Sequence, residues 1–180
     1  MRRRRSWLAR GAGALCLAAA PAHALQLELG AQTLATLVSD DDTKGGGVGL
    51  GVEGSYVLAR LAPARSALLL RARLSLLGGA GLAWGIEAGG AWRAEAHRLW
   101  QPEAGAYLLY LGGDLARSID GQGQLASNPV AALLGISPGR LALDHGWVSF
   151  LSFRGGVSLG RSGHPPLALS VTLFEVGREF

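Results

Sequence analysis

Four successive stretches of the chain alternate between apolar residues and small or polar ones. In the first, Leu25, Leu27, Leu29, Ala31, Thr33, Ala35 and Leu37 share one parity, while Gln26, Glu28, Gly30, Gln32, Leu34 and Thr36 share the other. A period of two is the signature of an extended strand with one apolar face, and this run is long for a strand of a soluble protein. The second stretch sets Val48, Leu50, Val52, Gly54, Tyr56 and Leu58 against Gly49, Gly51, Glu53 and Ser55. The third sets Leu68, Leu70, Ala72, Leu74 and Leu76 against Arg71, Arg73 and Ser75. The fourth sets Leu82, Trp84, Ile86, Ala88 and Trp92 against Gly85, Glu87, Gly89, Arg93 and Glu95. Strands of about 9–11 residues or more match a tilted crossing of a lipid bilayer.

Beyond residue 100 the alternation is weaker. Ala104 to Gly112 reads as a fifth strand, apolar on both faces, followed by a polar loop from Gly113 to Asn128. Pro129 to Ile136 is a short apolar run, and Ser137-Pro138-Gly139-Arg140 carries the Pro and Gly of a tight turn. Leu141 to about Val157 reads as one strand or a strand plus loop, Ser158 to Pro166 as a loop, and Leu167 to Phe180 as the last strand. The pattern predicts an all-β, antiparallel up-and-down transmembrane β-barrel of eight strands, with ten as the alternative. An even number returns both ends to one side of the membrane.

The first 24 residues break this pattern and read as an address. Arg2, Arg3, Arg4 and Arg5 precede an apolar run from Gly11 to Ala20, and Pro21-Ala22-His23-Ala24 supplies a small-x-small cleavage site. This is the layout of a secretory signal peptide (residues 1–24), with residues 25–180 as the exported barrel. The apolar run is too short for the roughly 20 residues of a spanning helix. Leu15 before Cys16 argues against a lipid-anchored cysteine, and removal of Cys16 leaves an exported chain with no disulfide.

Charge changes meaning once this segment is set aside. The chain has 17 Lys+Arg and 13 Asp+Glu, but five of the Arg (2, 3, 4, 5 and 10) lie within the first 24 residues and no acidic residue does. The remainder carries 12 basic against 13 acidic side chains, so the basic balance belongs to the address and a nucleic-acid partner is not expected. In that remainder Gly is frequent, Lys44 is the only lysine, and no uninterrupted apolar stretch of about 18 residues occurs. Among membrane-spanning solutions this leaves the closed barrel, because lipid cannot satisfy an open sheet edge.

If the apolar parity faces lipid, the other parity fills the interior with Glu28, Glu53, Glu87 and Glu95 against Arg71, Arg73 and Arg93. Eight strands leave only enough lumen for side chains, so a salt-bridge plug is preferred to an ion path, and Arg71 and Arg73 are expected to meet Glu53 or Glu87. Trp84, Trp92, Trp100, Tyr56, Trp147, Phe150, Phe153, Phe174 and Phe180 are expected to form belts at the headgroup level.

The chain ends Phe174-Glu175-Val176-Gly177-Arg178-Glu179-Phe180. The terminal Phe180, with Phe174 and Val176 on its parity, resembles the closing strand of bacterial outer-membrane proteins, which the barrel-assembly machinery reads. With the leader and the alternation, the chain is similar in layout to the small eight-stranded barrels of the OmpA transmembrane-domain and OmpX type. The resemblance implies a monomeric protein of a Gram-negative cell envelope, in contact with outer-membrane lipids and lipopolysaccharide. Arg178 departs from the pattern, which usually has an apolar or aromatic residue there. Leu167, Leu169, Val171 and Leu173 also lie on the opposite parity from Phe174 and Val176, and a bulge near Leu173-Phe174 would reconcile the two sets.

Catalytic signals are sparse. Ser162-Gly163-His164 in the last predicted loop is the candidate for a lipid acyl hydrolase, and Asp144, His145 and Ser149 form a looser grouping. Pro165-Pro166 after His164 favours an ordinary loop. Asp40-Asp41-Asp42 lacks the spaced oxygen ligands of a calcium loop, and no Cys–His metal pattern, phosphate loop or dinucleotide fingerprint occurs, so neither cofactor nor metal is expected. The leading expectation is a non-enzymatic barrel with a structural or surface-interaction role. The alternatives are a hydrolase at the rim, a narrow diffusion pore, or a soluble periplasmic barrel with its faces inverted.

Overall fold

The structure, a computed structural model, describes residues 27–39, 44–61, 65–79, 81–95, 97–113, 130–159 and 167–180. Residues 1–26, the Asp40–Asp42 run, the segment from Asp114 to Asn128, and Ser162 with His164 lie outside the described residues.

Nine strands follow in chain order: β1 (Leu27–Ser39), β2 (Lys44–Leu61), β3 (Ser66–Gly79), β4 (Leu82–Ala94), β5 (Glu103–Gly113), β6 (Val130–Ser137), β7 (Gly139–Leu143), β8 (Gly146–Ser158) and β9 (Leu167–Glu179). Each pairs antiparallel with its neighbour in sequence, except that β6 and β7 are end-to-end halves of one stave, both paired with β8. β1 pairs with β9, and β6 pairs with β5 on its other edge, so the sheet closes into a ring of eight staves. Closure removes the unpaired edges that an open sheet would leave.

The faces follow the alternation. On β3, Leu68, Leu70, Leu74 and Leu76 are 40–62% exposed while Arg71 and Arg73 are 3–4% exposed. This inverts the soluble pattern: the apolar parity is outside and the charged parity inside. Along β5, Glu103 lies toward the end that carries the chain termini and Leu109 and Leu111 join an apolar cluster toward the other end; on β3 the same cluster takes Leu69 and Leu77 on either side of Arg71 and Arg73. That cluster explains why β5 is apolar on both faces.

The expected bulge near the C-terminus is present. Thr33 of β1 faces Phe174 and Leu34 faces Thr172, so Leu173 is an extra residue. Leu173 and Phe174 are both exposed, with Thr172 and Glu175 buried on either side. A matching change of parity occurs on the two preceding staves. On β8 the buried positions are Trp147 and Ser149 below Leu151 and Ser152 and Arg154 above it. Leu151 itself adopts φ 55°, a left-handed conformation uncommon for a side chain of this kind. On the sixth stave Leu133 is buried before Pro138 and Arg140 after it.

The turn expected at Ser137–Arg140 is therefore corrected. Pro138 interrupts a stave rather than ending it, and the chain reverses at Asp144-His145. Proline has no N–H to give a ladder, which accounts for the interruption. Its carbonyl instead accepts the Nε1–H of Trp100 at 2.7 Å, fixing the connection between β4 and β5 against this point.

Candidate functional site

The charged interior is the one concentration of chemistry among the described residues. Five arginines (71, 73, 93, 140 and 154) and five glutamates (28, 53, 87, 103 and 175) are buried there, each at most 5% exposed. The strand registers bring them together. Glu53 lies beside Arg73 across β2 and β3, and Arg73 lies beside Glu87 across β3 and β4. Arg93 lies beside Glu103 across β4 and β5.

Two linked groups result. Toward the terminal end, Arg93 clasps Glu28 through both Nη atoms at 2.6 Å and donates Nε–H to Glu103 at 2.7 Å. Arg140 lies 3.0 Å from each of these carboxylates, and Ser55 donates to Glu28 at 2.7 Å. Further along, Arg154 bridges Glu53, at 2.9 Å, to Glu87, while Arg73 pairs with Glu87. Arg71 joins the two groups by pairing with Glu53 and, at 2.5 Å, with Glu103. Two-pronged guanidinium–carboxylate contacts of this type are short and geometrically specific. Glu175, between Gln32 and Ser149 in register, has no hydrogen-bond partner at Oε1.

Aromatic rings complete the packing. The Arg154 guanidinium lies 4.4 Å from the centre of the Tyr107 ring, and that of Arg140 lies 3.9 Å from the centre of Trp147. Trp147, expected in an outer belt, is 1% exposed inside the barrel. The parity change on β8 turns it inward, and Gly30 and Gly177, paired across β1 and β9, leave room for it. A Cβ on Gly30 would stand 3.0 Å from the indole ring, and one on Gly177 would stand 2.5 Å from it. The free space beside Arg71, Glu103, Tyr107 and Arg154 is about 10 Å³, at the lower limit for one water molecule.

Of the interior charges read from the sequence, Glu28, Glu53, Arg71, Arg73, Glu87 and Arg93 lie in this network. Glu95 is a correction: β4 ends at Ala94, and Glu95 sits at the rim, 3.2 Å from Arg60, whose side chain is 46% exposed. Such an exposed pair contributes little. Glu95→Gln is expected to shift unfolding stability by less than about 1 kcal/mol, read from a urea titration of detergent-folded protein. Glu103, Arg140, Arg154 and Glu175 join the interior charges without a signal in the alternation. Glu103 falls just before the alternation becomes visible, and the other three lie beside the parity changes.

The looser catalytic grouping does not assemble. Asp144 and His145 are exposed on the turn, whereas Ser149 is buried and shares hydrogen bonds with Ser137 at 2.8 Å and Ser152 at 3.3 Å. Ser137 and Ser152 are 2.6 Å apart, so three hydroxyls meet where the staves change parity. Phe174 and Val176 of the C-terminal pattern are outward, 42% and 46% exposed, and Phe174 packs on Phe150 with ring centres 5.4 Å apart. Phe180 is also exposed.

No family model matches the chain, and no curated protein is similar to it. Among solved structures, the chain is similar to neisserial surface protein A, with a TM-score of 0.56 and 14% identity over 86% of this chain and 97% of that one. At that identity the likeness is one of fold, that of a small antiparallel up-and-down β-barrel.

Proposed function

We propose that the chain is an integral outer-membrane protein, exported with residues 1–24 as its signal, whose barrel is closed to solutes and serves a structural or surface-interaction role. One observation carries this reading: leucines cover the outer wall, while ten charged side chains occupy the interior in equal numbers of each sign. An apolar exterior is stable in lipid and unstable in water, because a wall of this kind has no other apolar surface to bury against. Burying ion pairs contributes little net stability compared with an apolar filling. Their use here therefore points to specificity: complementary guanidinium and carboxylate shapes fix which strands lie side by side and leave no continuous water path. Phe174, Val176 and Phe180 serve as the assembly signal, and the likeness in fold to a neisserial surface protein agrees with residence in an outer membrane.

Two measurements test the reading. The protein should partition with the outer-membrane fraction and change gel mobility on boiling. Purified protein in planar bilayers should give no discrete current steps. Regular steps of one size would overturn the closed interior, and recovery in the soluble periplasmic fraction would overturn the membrane assignment.

A further inference from the structure

An apolar groove of about 720 Å³ runs along the outer wall over β9, β1, β2 and β3 to β4. Ala31 on β1 lines it beside Phe174, Leu50 and Trp84. Two small residues side by side in register, Gly54 on β2 and Ala72 on β3, line its continuation. A second depression of about 740 Å³ shares Ala31, Val52 and Leu74 with the first and continues it toward the end of the chain. There it reaches Arg178. Arg178, Leu29, Gly54 and Ala72 lie in one register row, so this part of the depression crosses from β9 to β3, about 14 Å at 4.8 Å per strand.

Arg178 is out of place on this wall by composition, since it stands on the parity occupied by Val176 and Phe180. Among the described residues it makes no ion pair, and its guanidinium rests 5.7 Å from the centre of the Phe180 ring. A cation at the rim of an outer wall is tolerated because its stem lies along apolar surface and its head reaches the headgroups. Here the cation borders the second apolar depression.

We infer that this groove holds one phospholipid of the leaflet on the side of the chain termini, an acyl chain lying over Ala31, Gly54 and Ala72 and the phosphate on Arg178. The inference rests on the proposed membrane location. The groove supplies shape and apolar contact, and the guanidinium supplies two N–H donors matched to phosphate oxygens. A second copy of the chain would need the groove to meet a complementary ridge and would leave Arg178 without an anion.

The test uses the full exported chain refolded in dodecylmaltoside, with phosphatidylglycerol and the phosphate-free diacylglycerol of the same chains as probes, counted by native mass spectrometry. Gel mobility before and after boiling reports the barrel separately, so loss of lipid and loss of the fold are distinguishable. Phosphatidylglycerol should bind one per barrel, about tenfold more tightly than diacylglycerol, the factor expected for a charge-assisted contact. Arg178→Gln should abolish that preference, Arg178→Lys should restore part of it, and Ala72→Leu should weaken both lipids by filling the depression. Equal retention of the two lipids by the unaltered protein would overturn the inference without any variant. So would retention indifferent to both Arg178→Gln and Ala72→Leu, or a dimer that Ala72→Leu dissolves.

Discussion

Replacing Arg93 by leucine should destabilise the folded barrel by about 3–5 kcal/mol, the cost typical of breaking a buried ion pair from one side. Arg93 is 2% exposed and meets two carboxylates at once, Glu28 through both Nη atoms and Glu103 through Nε. Arg140 and Arg71 remain beside those carboxylates, yet neither is placed to replace the two-pronged clasp on Glu28. The substitution also leaves four interior arginines for five glutamates. Removing the paired charge as well should reverse part of the loss. The double variant Arg93→Leu with Glu28→Gln is expected to be more stable than Arg93→Leu alone, with a coupling of about 1–3 kcal/mol. Urea unfolding in detergent or lipid vesicles, followed by tryptophan fluorescence, reads all four proteins of the cycle: the unaltered chain, Arg93→Leu, Glu28→Gln and the double variant. Independent effects that simply add would show that the close contacts are not an energetic unit.

The contrast between the two halves of the chain shows what a sequence pattern can carry. In β1 to β4 the charged parity is unbroken, so counting by two places Glu28, Glu53, Arg71, Arg73, Glu87 and Arg93 on one face without knowledge of which strands meet. The short connections between these strands then make neighbours in sequence neighbours in the sheet. The count fails at Glu95 because the strand ends one residue earlier. It fails again in the last three staves, for one shared reason. Pro138, Leu151 and Leu173 each mark a change of parity, so an interior residue before the mark and one after it differ by an odd number of positions. Arg140, Arg154 and Glu175 are invisible to counting for that reason, and Trp147 reads as an outer-belt residue. A proline gives one of these positions away. The opposite parity of the set from Leu167 to Leu173 and of Phe174 and Val176 betrays a second, whereas Leu151 gives no sign, because its fit is set by the neighbouring staves and not by its own propensity.

The same coordinated change predicts an unusual response to charge along β8. In a regular strand, arginine substitutions would be costly at every second residue. Here Phe150 and Leu151 are adjacent and 46% and 50% exposed, Ser152 is buried, and Phe153 is again 40% exposed. Arginine at Phe150, Leu151 or Phe153 therefore faces lipid in each case, near the middle of a strand that spans the wall. Each of the three should cost about 2–4 kcal/mol, the range for a cation placed on the lipid face near the bilayer midplane. Phe150→Arg also removes the ring contact with Phe174, and Leu151→Arg keeps the left-handed backbone, so the three losses arise from different local settings and share only the outward direction. Unfolding midpoints in vesicles of fixed composition decide the matter. Two consecutive sensitive positions followed, after one gap, by a third would place the change of face at Leu151. Sensitivity at Phe150 but not at Leu151 and Phe153 would mean that β8 alternates without interruption, and that Arg154 and Trp147 cannot both point inward.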